Sequence, residues 1–232
     1  MKSPVHKGPL ANAKATPRPR WSRRSSLLVI IVAICLLAYS GFGLWQRYRA
    51  THSSNPLPSN TPVTTSLAEP DETVIAANSP YTVPANQPQR IVLPSINAEG
   101  FIQKVGIDQN NAIAVPSNIH MAGWFTGNDL PGDKGLSIID GHVHGKYLPG
   151  IFTNLIKLKK GDHFTVEFGD NSTRRFEVVS VKSYPVDEAK QPLFKKQESI
   201  EAQLNLITCG GSFDKTSQQY RERVLVVSRR LP

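Results

Sequence analysis

Residues 89–232 predict an all-β domain with short helices, closed as a barrel or stacked as a sandwich. Three observations carry that expectation. Phe164, Val166 and Phe168 alternate with Thr165 and Glu167, the period of a strand with one buried face. Short apolar runs recur along the segment, each stopped by Gly, Pro or Asn. The texture also changes at Gln89, where a polar, proline-bearing stretch gives way to apolar runs.

In chain order, Arg90-Ile91-Val92-Leu93-Pro94-Ser95-Ile96 reads as a short strand with a proline break. Phe101 to Ile107 and Ala112 to Val115 are further strands, and Leu136 to Gly141 is a β-rich run stopped by glycine. After Phe164–Phe168 come Phe176 to Val181, Leu204 to Cys209 and Val224 to Ser228. Pro149 to Leu158 and Pro192 to Ile200 are the places for short helices. A segment of this length is ordinary for one domain.

Upstream the chain has a different organisation. The formal charge is +9, but nine of the 27 Lys/Arg lie in residues 1–50, which hold no Asp or Glu. From Thr51 onward 18 basic residues meet 18 acidic ones, so the high pI belongs to the tail. A nucleic-acid surface needs a basic patch on the folded part, and no dense run is there, so nucleic acid is not an expected partner. Residues 1–24 form a basic tail and 25–46 an apolar span with no charge between Arg24 and Arg47. That length can cross a lipid bilayer as a helix. Seven Lys/Arg before it predict a single-pass anchor with a cytoplasmic N-terminus and an extracytoplasmic remainder, with Trp21 and Trp45 at the interfaces. The rival is a cleaved signal peptide ending at Ala38-Tyr39-Ser40. The apolar residues continue past that site to Trp45, which favours the anchor. Residues 47–88, rich in Ser, Thr, Asn, Pro and Ala, read as a flexible extracytoplasmic stalk.

The chemistry points to one thiol. Of the two cysteines, Cys35 lies in the apolar span and only Cys209 lies in the domain. Outside the cell an unpaired structural thiol is hard to justify. Cys209 follows the apolar run Leu204-Asn205-Leu206-Ile207-Thr208 and precedes Gly210-Gly211, so it is expected at the end of a strand, presented as a nucleophile. A thiol attacking a carbonyl needs a proton acceptor, and the tetrahedral intermediate needs a hydrogen-bond donor. His142 follows the run Ile138-Ile139-Asp140-Gly141. Arg223 opens the run Val224-Leu225-Val226-Val227, and Arg221 lies two residues earlier on the same strand face, so periodicity leaves both open.

Several blocks then resemble the sortases, most of all class F. They are Ala114-Val115-Pro116, Gly123-Trp124-Phe125, Pro131-Gly132 with Gly135, Gly141-His142-Val143, Thr208-Cys209-Gly210-Gly211 with Phe213-Asp214, and Tyr220 to Val227. The run Asn205-Leu206-Ile207-Thr208-Cys209 resembles the Thr-Leu-x-Thr-Cys signature, with Asn205 at the first Thr. The resemblance implies a closed eight-stranded β-barrel and a cysteine transpeptidase that cleaves a Leu-Pro-x-Thr-Gly-like sorting motif between Thr and Gly. Cys209 would form a thioacyl-enzyme, resolved by an amine acceptor such as a cell-wall stem peptide or a pilin lysine. His142 would serve as acid and base, and an arginine would hold the oxyanion or the substrate backbone. Other classes place that arginine before the aliphatic triplet, at Arg223. Class F often places it two residues earlier, at Arg221. Arg223 is the first choice here. Class F often has an acid two residues after the histidine, where this chain has His144. Thr208 and Trp124 are substrate-binding candidates, although Trp124 also suits a packing role.

Rival readings are a thiol hydrolase on the same barrel and a non-catalytic surface binding module. Asp140 either orients His142 or caps a turn. A metal site of His142, His144 and Cys209 lacks any Cys-x-x-Cys or His-Glu-x-x-His spacing, so no metal or cofactor is expected.

Overall fold

The computed structural model describes residues 69–76, 78–109 and 111–232, together with Phe42. The expected tail 1–24, the rest of the expected anchor 25–46, and residues 47–68 of the expected stalk lie outside the described residues. Among the described residues no helix is long and apolar enough to cross a membrane.

The described residues form eight strands: β1 (Pro88–Leu93), β2 (Ala98–Val105), β3 (Ala122–Phe125), β4 (Gly135–Gly141), β5 (His163–Phe168), β6 (Thr173–Pro185), β7 (Ala202–Asp214) and β8 (Gln219–Arg230). They close into a barrel in the order β1-β2-β3-β4-β7-β8-β6-β5, with β5 returning to β1. The β2/β3 and β4/β7 pairs are parallel and the others antiparallel. Among residues 69–232 that are described, a short helix, α1 (Lys190–Phe194), and 3-10 turns at Pro94–Ile96, Leu155–Lys157 and Val186–Glu188 complete the regular structure.

Alternation along the strands sorts the apolar residues into two layers. One set, including Ile139, Leu204, Leu206, Phe164, Val166, Phe176 and Val226, fills the barrel interior. The other set lies on the outer face of β4, β7 and β8, where Ile138, Ile207, Leu225 and Val227 are buried beneath Leu193 of α1, Ile200 and Ala114. Asp140, Cys209 and Arg223 share the parity of this second set along their strands, which places the site on the outer face.

Several expected elements move. Ala112 to Val115 is not a strand; Ile113 makes only an isolated bridge with Ile107. The strand at that point of the barrel is β3, buried along its whole length and therefore without alternation to announce it. The helix expected at Pro192–Ile200 starts earlier, at Lys190, and the one at Pro149–Leu158 shrinks to a 3-10 turn. Cys209 does not end its strand. β7 runs on to Asp214, with a register shift between Gly210 and Phe213 that Gly211, at φ +70°, accommodates.

Residues 71–76 and 78–87, expected as the end of a stalk, pack on the barrel. Tyr81 is buried with Phe101 and Met121, and its hydroxyl donates to the Ile102 carbonyl at 2.8 Å. Asp71 exchanges backbone hydrogen bonds with Ser117 and Ile119.

Candidate active site

Cys209 and Arg223 face each other directly across the antiparallel β7/β8 pair. Both line a groove of about 380 Å³ whose walls are mostly apolar, among them Ile113, Phe125, Leu193, Phe194 and Ile207. The groove lies on the outer face of the barrel, between the β2–β3 connection on one side and α1 on the other.

Arg223 is half-buried. Its Nη1 donates to the carbonyls of Tyr220 at 3.2 Å and Glu222 at 3.0 Å, which leaves Nη2 and Nε without a partner among the described residues. Arg221 turns elsewhere: its exposed side chain pairs with Asp214 at 3.2 Å and does not line the groove. The register shift after Gly210 explains why two arginines at strand spacing end in different surroundings.

The β4/β7 pairing brings in the histidine. The last registered pair is Asp140–Ile207, and two residues beyond it lie His142 and Cys209. Between them, Thr208 Oγ1 donates to the Gly141 carbonyl at 2.7 Å and ties the end of β4 to β7. The His142 ring is 2.8 Å from the Pro116 carbonyl through Nε2. A carbonyl only accepts, so Nε2 carries the proton and Nδ1 is the nitrogen open to exchange. Burial pushes the His142 pKa below the usual imidazole value, against a smaller upward pull from the Pro116 carbonyl.

Burial pushes the Cys209 thiol up. The Arg223 guanidinium pulls it back, and Asp140 adds to the rise. The resting pair at neutral pH is therefore a neutral thiol and a neutral imidazole.

Asp140 does not cap a turn, and among the described residues no hydrogen bond joins its carboxyl to His142. It sits within β4 opposite Gly123, 6% exposed, and its Oδ1 has no hydrogen-bond partner among the described residues. Gly123 makes this possible, since a Cβ there would lie 2.2 Å from that oxygen. Burial raises the Asp140 pKa well above the usual carboxylate range, against its own backbone N–H.

Of the other candidates, Thr208 lines the groove and Trp124 does not. Trp124 lies in the barrel interior, where its Nε1 donates to the Asp129 carbonyl at 3.3 Å. His144 is exposed, and among the described residues no group of three His, Cys, Asp or Glu side chains is placed to hold a metal ion.

Residues 91–231 match the family model of the sortase domain. The chain belongs to the sortase family. Sortases are cysteine transpeptidases, and this chain is one by that membership. Solved sortases similar to it include sortase C-1 from Actinomyces oris, 27% identical over 62% of this chain and 73% of that chain, with TM-score 0.47. Sortase C1 from Streptococcus agalactiae is 24% identical over 63% and 68%, with TM-score 0.47. A lid mutant of sortase A from Corynebacterium diphtheriae is 24% identical over 62% and 70%, with TM-score 0.49. A comparison with curated proteins finds no match.

Two features of this candidate site escape a reading of the sequence. Asn205, at the first Thr of the signature, donates from Nδ2 to the Leu193 carbonyl at 2.7 Å and accepts from Gln203 Nε2 at 3.0 Å. Gln203 in turn donates to the Lys195 carbonyl and accepts from the Gln197 backbone. These two buried amides anchor α1, which forms one wall of the groove. Their presence in an apolar run was the available signal. Pro116 holds the histidine through its carbonyl, a role that no side chain announces.

Proposed function

We propose that the chain is an outward-facing, class F-like sortase held at the membrane by residues 25–46. The tail 1–24 stays cytoplasmic and the following residues space the barrel from the bilayer. The enzyme cleaves a Leu-Pro-x-Thr-Gly-like sorting motif between Thr and Gly and passes the acyl group to an amine at the cell surface. The ordered blocks around Gly141-His142-Val143 and Thr208-Cys209-Gly210-Gly211 support the class F assignment. One observation carries the chemistry: a thiol and a guanidinium opposite each other at the floor of an apolar groove, beside the strand end that leads into His142.

The steps follow from the resting protonation. Cys209 passes its proton to Nδ1 of His142, whose Nε2–H is held by Pro116. The thiolate attacks the Thr carbonyl carbon, and the electron pair moves to the carbonyl oxygen. Nη2 and Nε of Arg223 donate to that oxygen as its charge develops, where preorganised donors act most strongly. The imidazolium then protonates the glycine nitrogen, the C–N bond breaks, and a thioester on Cys209 remains. An incoming amine loses its proton to His142 and displaces the thiolate. The groove's apolar lining suits the Leu and Pro of the motif.

The test is intact-mass analysis of the full chain incubated with a Leu-Pro-x-Thr-Gly peptide, with and without an added amine. The expected results are an acyl adduct on Cys209, absent in Cys209→Ala, and a transfer product once the amine is present. Free acid as the only product under both conditions would replace transfer with hydrolysis.

A further inference from the structure

Glu72 lies far from Cys209 in sequence, and the chemistry above makes no use of it. Its side chain is buried, and its carboxylate accepts hydrogen bonds from three successive backbone N–H groups, those of Lys146, of Tyr147 at 3.1 Å and of Leu148 at 3.1 Å. Consecutive N–H groups converging on one anion form a cradle, and such bonds are among the stronger ones. The chain makes room for it at Gly145, where a Cβ would lie 2.3 Å from Glu72 Oε1.

The same strap is stitched to a second segment. The Asp71 N–H donates to Ser117 O at 2.8 Å, and the Ile119 N–H donates to Asp71 O at 2.9 Å. Asn118 Nδ2 donates to Thr73 O at 3.0 Å, and the His120 ring lies 3.3 Å from Glu72 O through Nε2.

These two attachments converge on His142. Segment 117–119 follows Pro116, whose carbonyl takes the Nε2–H of the ring. The tip 146–148 belongs to the loop that starts at His142, closed at its base by Phe152 N–H to His142 O at 3.0 Å and Gly150 N–H to Val143 O at 3.0 Å. One short strap thus grips both the piece of chain that holds the ring and the loop that carries it.

We propose that Glu72 is a positioning residue for His142, its carboxylate locking the tip of the 142–152 loop against segment 116–119 so that the imidazole keeps one place beside the thiol. This rests on the reading of His142 as the acid and base of the reaction.

The test uses Glu72→Ala and Gly145→Ala in the full chain. The first removes the carboxylate and the second displaces it while leaving it in the protein. Turnover of the sorting peptide, thermal unfolding and the NMR titration of His142 are measured on each, with the histidine signal assigned by its loss in His142→Ala. Both variants should lower kcat by about tenfold to a hundredfold, as expected for a catalytic group displaced by about 1 Å, with KM within about twofold. The His142 titration should move up toward the ordinary value of about 6.5 as the ring leaves its buried place. A lowered unfolding temperature with kcat and titration unchanged in both variants would make Glu72 a stability residue only and overturn the proposal. The His142→Ala control separates the two claims. Activity surviving in it overturns the catalytic reading of His142. Activity lost in it but intact in both other variants overturns the Glu72 proposal alone.

Discussion

Asp140→Val should stabilise this barrel and acidify its thiol at the same time. Asp140 is buried in β4, between Gly123 of β3 and Ile207 of β7, with one carboxyl oxygen unpartnered among the described residues. A buried polar atom without a partner costs about 1–3 kcal/mol. Valine has nearly the same volume, suits a strand, and would join the apolar layer of Ile138 and Ile207. The variant should therefore gain about 1–3 kcal/mol at neutral pH, at about 2–4 °C of unfolding temperature per kcal/mol for a chain of this size. The pH dependence has a definite sign. The folded pKa of Asp140 is raised above its unfolded value of 3.8, so the folded domain keeps a proton that the unfolded chain releases. The wild type accordingly loses stability as pH rises from about 4 toward the raised folded pKa, and the gap to the variant widens over the same range. Thermal unfolding at pH 4.5, 6 and 8 reads this. The second readout is the rate of Cys209 alkylation against pH. Asp140 contributes to the raised thiol pKa, so the variant's thiolate should appear at lower pH. A variant less stable than wild type at every pH, with an unchanged alkylation profile, would show that the carboxyl is well satisfied and that the thiol does not feel it.

Three further outcomes follow from the same geometry. Arg223→Lys should reduce kcat by about a hundredfold or more, since an ammonium cannot reproduce a fork of donors aimed at an oxyanion, whereas Arg221→Ala should keep most of the turnover and the wild-type unfolding temperature; steady-state kinetics on both variants distinguish the two arginines. Asn205→Ala leaves the buried Leu193 carbonyl without its donor, so it should cost about 1–3 kcal/mol in chemical denaturation and raise KM as the α1 wall of the groove loosens. The profile of kcat/KM against pH should be a broad bell, its acid limb below the ordinary imidazole value and its alkaline limb above the ordinary thiol value, because burial moves His142 down and Cys209 up; a narrow bell centred between the unperturbed values would contradict that assignment.

The features legible in the sequence are those that depend on local pattern. β5 alternates strictly because one of its faces is buried, and β4 and β7 stand out as apolar runs because parallel pairing and the α1 cover bury both of theirs. Cys209, His142 and Arg223 stood out in the sequence because the proposed chemistry demands those residue types on or beside strands, and the structure places Cys209 and Arg223 in one groove next to the end of β4 that leads into His142. What was hidden depends on pairing between distant segments. The difference between Arg221 and Arg223 arises from a register shift opposite Gly210–Phe213, which spacing along one strand does not reveal. Trp124 resembled a groove residue but faces the interior, because β3 is buried on both faces and offers no alternation to read. The packing of residues 71–76 and 78–87 was hidden by their composition: Glu72 and Tyr81 make it through backbone amides and one hydroxyl rather than through an apolar run.

Cys209 and Arg223 come from the two arms of one hairpin, so the distance between them is set by the rungs of a ladder rather than by any connecting loop. The turn at residues 215–218 joins those arms well away from the Cys209–Arg223 rung. Foreign sequence spliced into that turn should therefore leave the Cys209–Arg223 pair in place, which makes the turn a natural point for insertions.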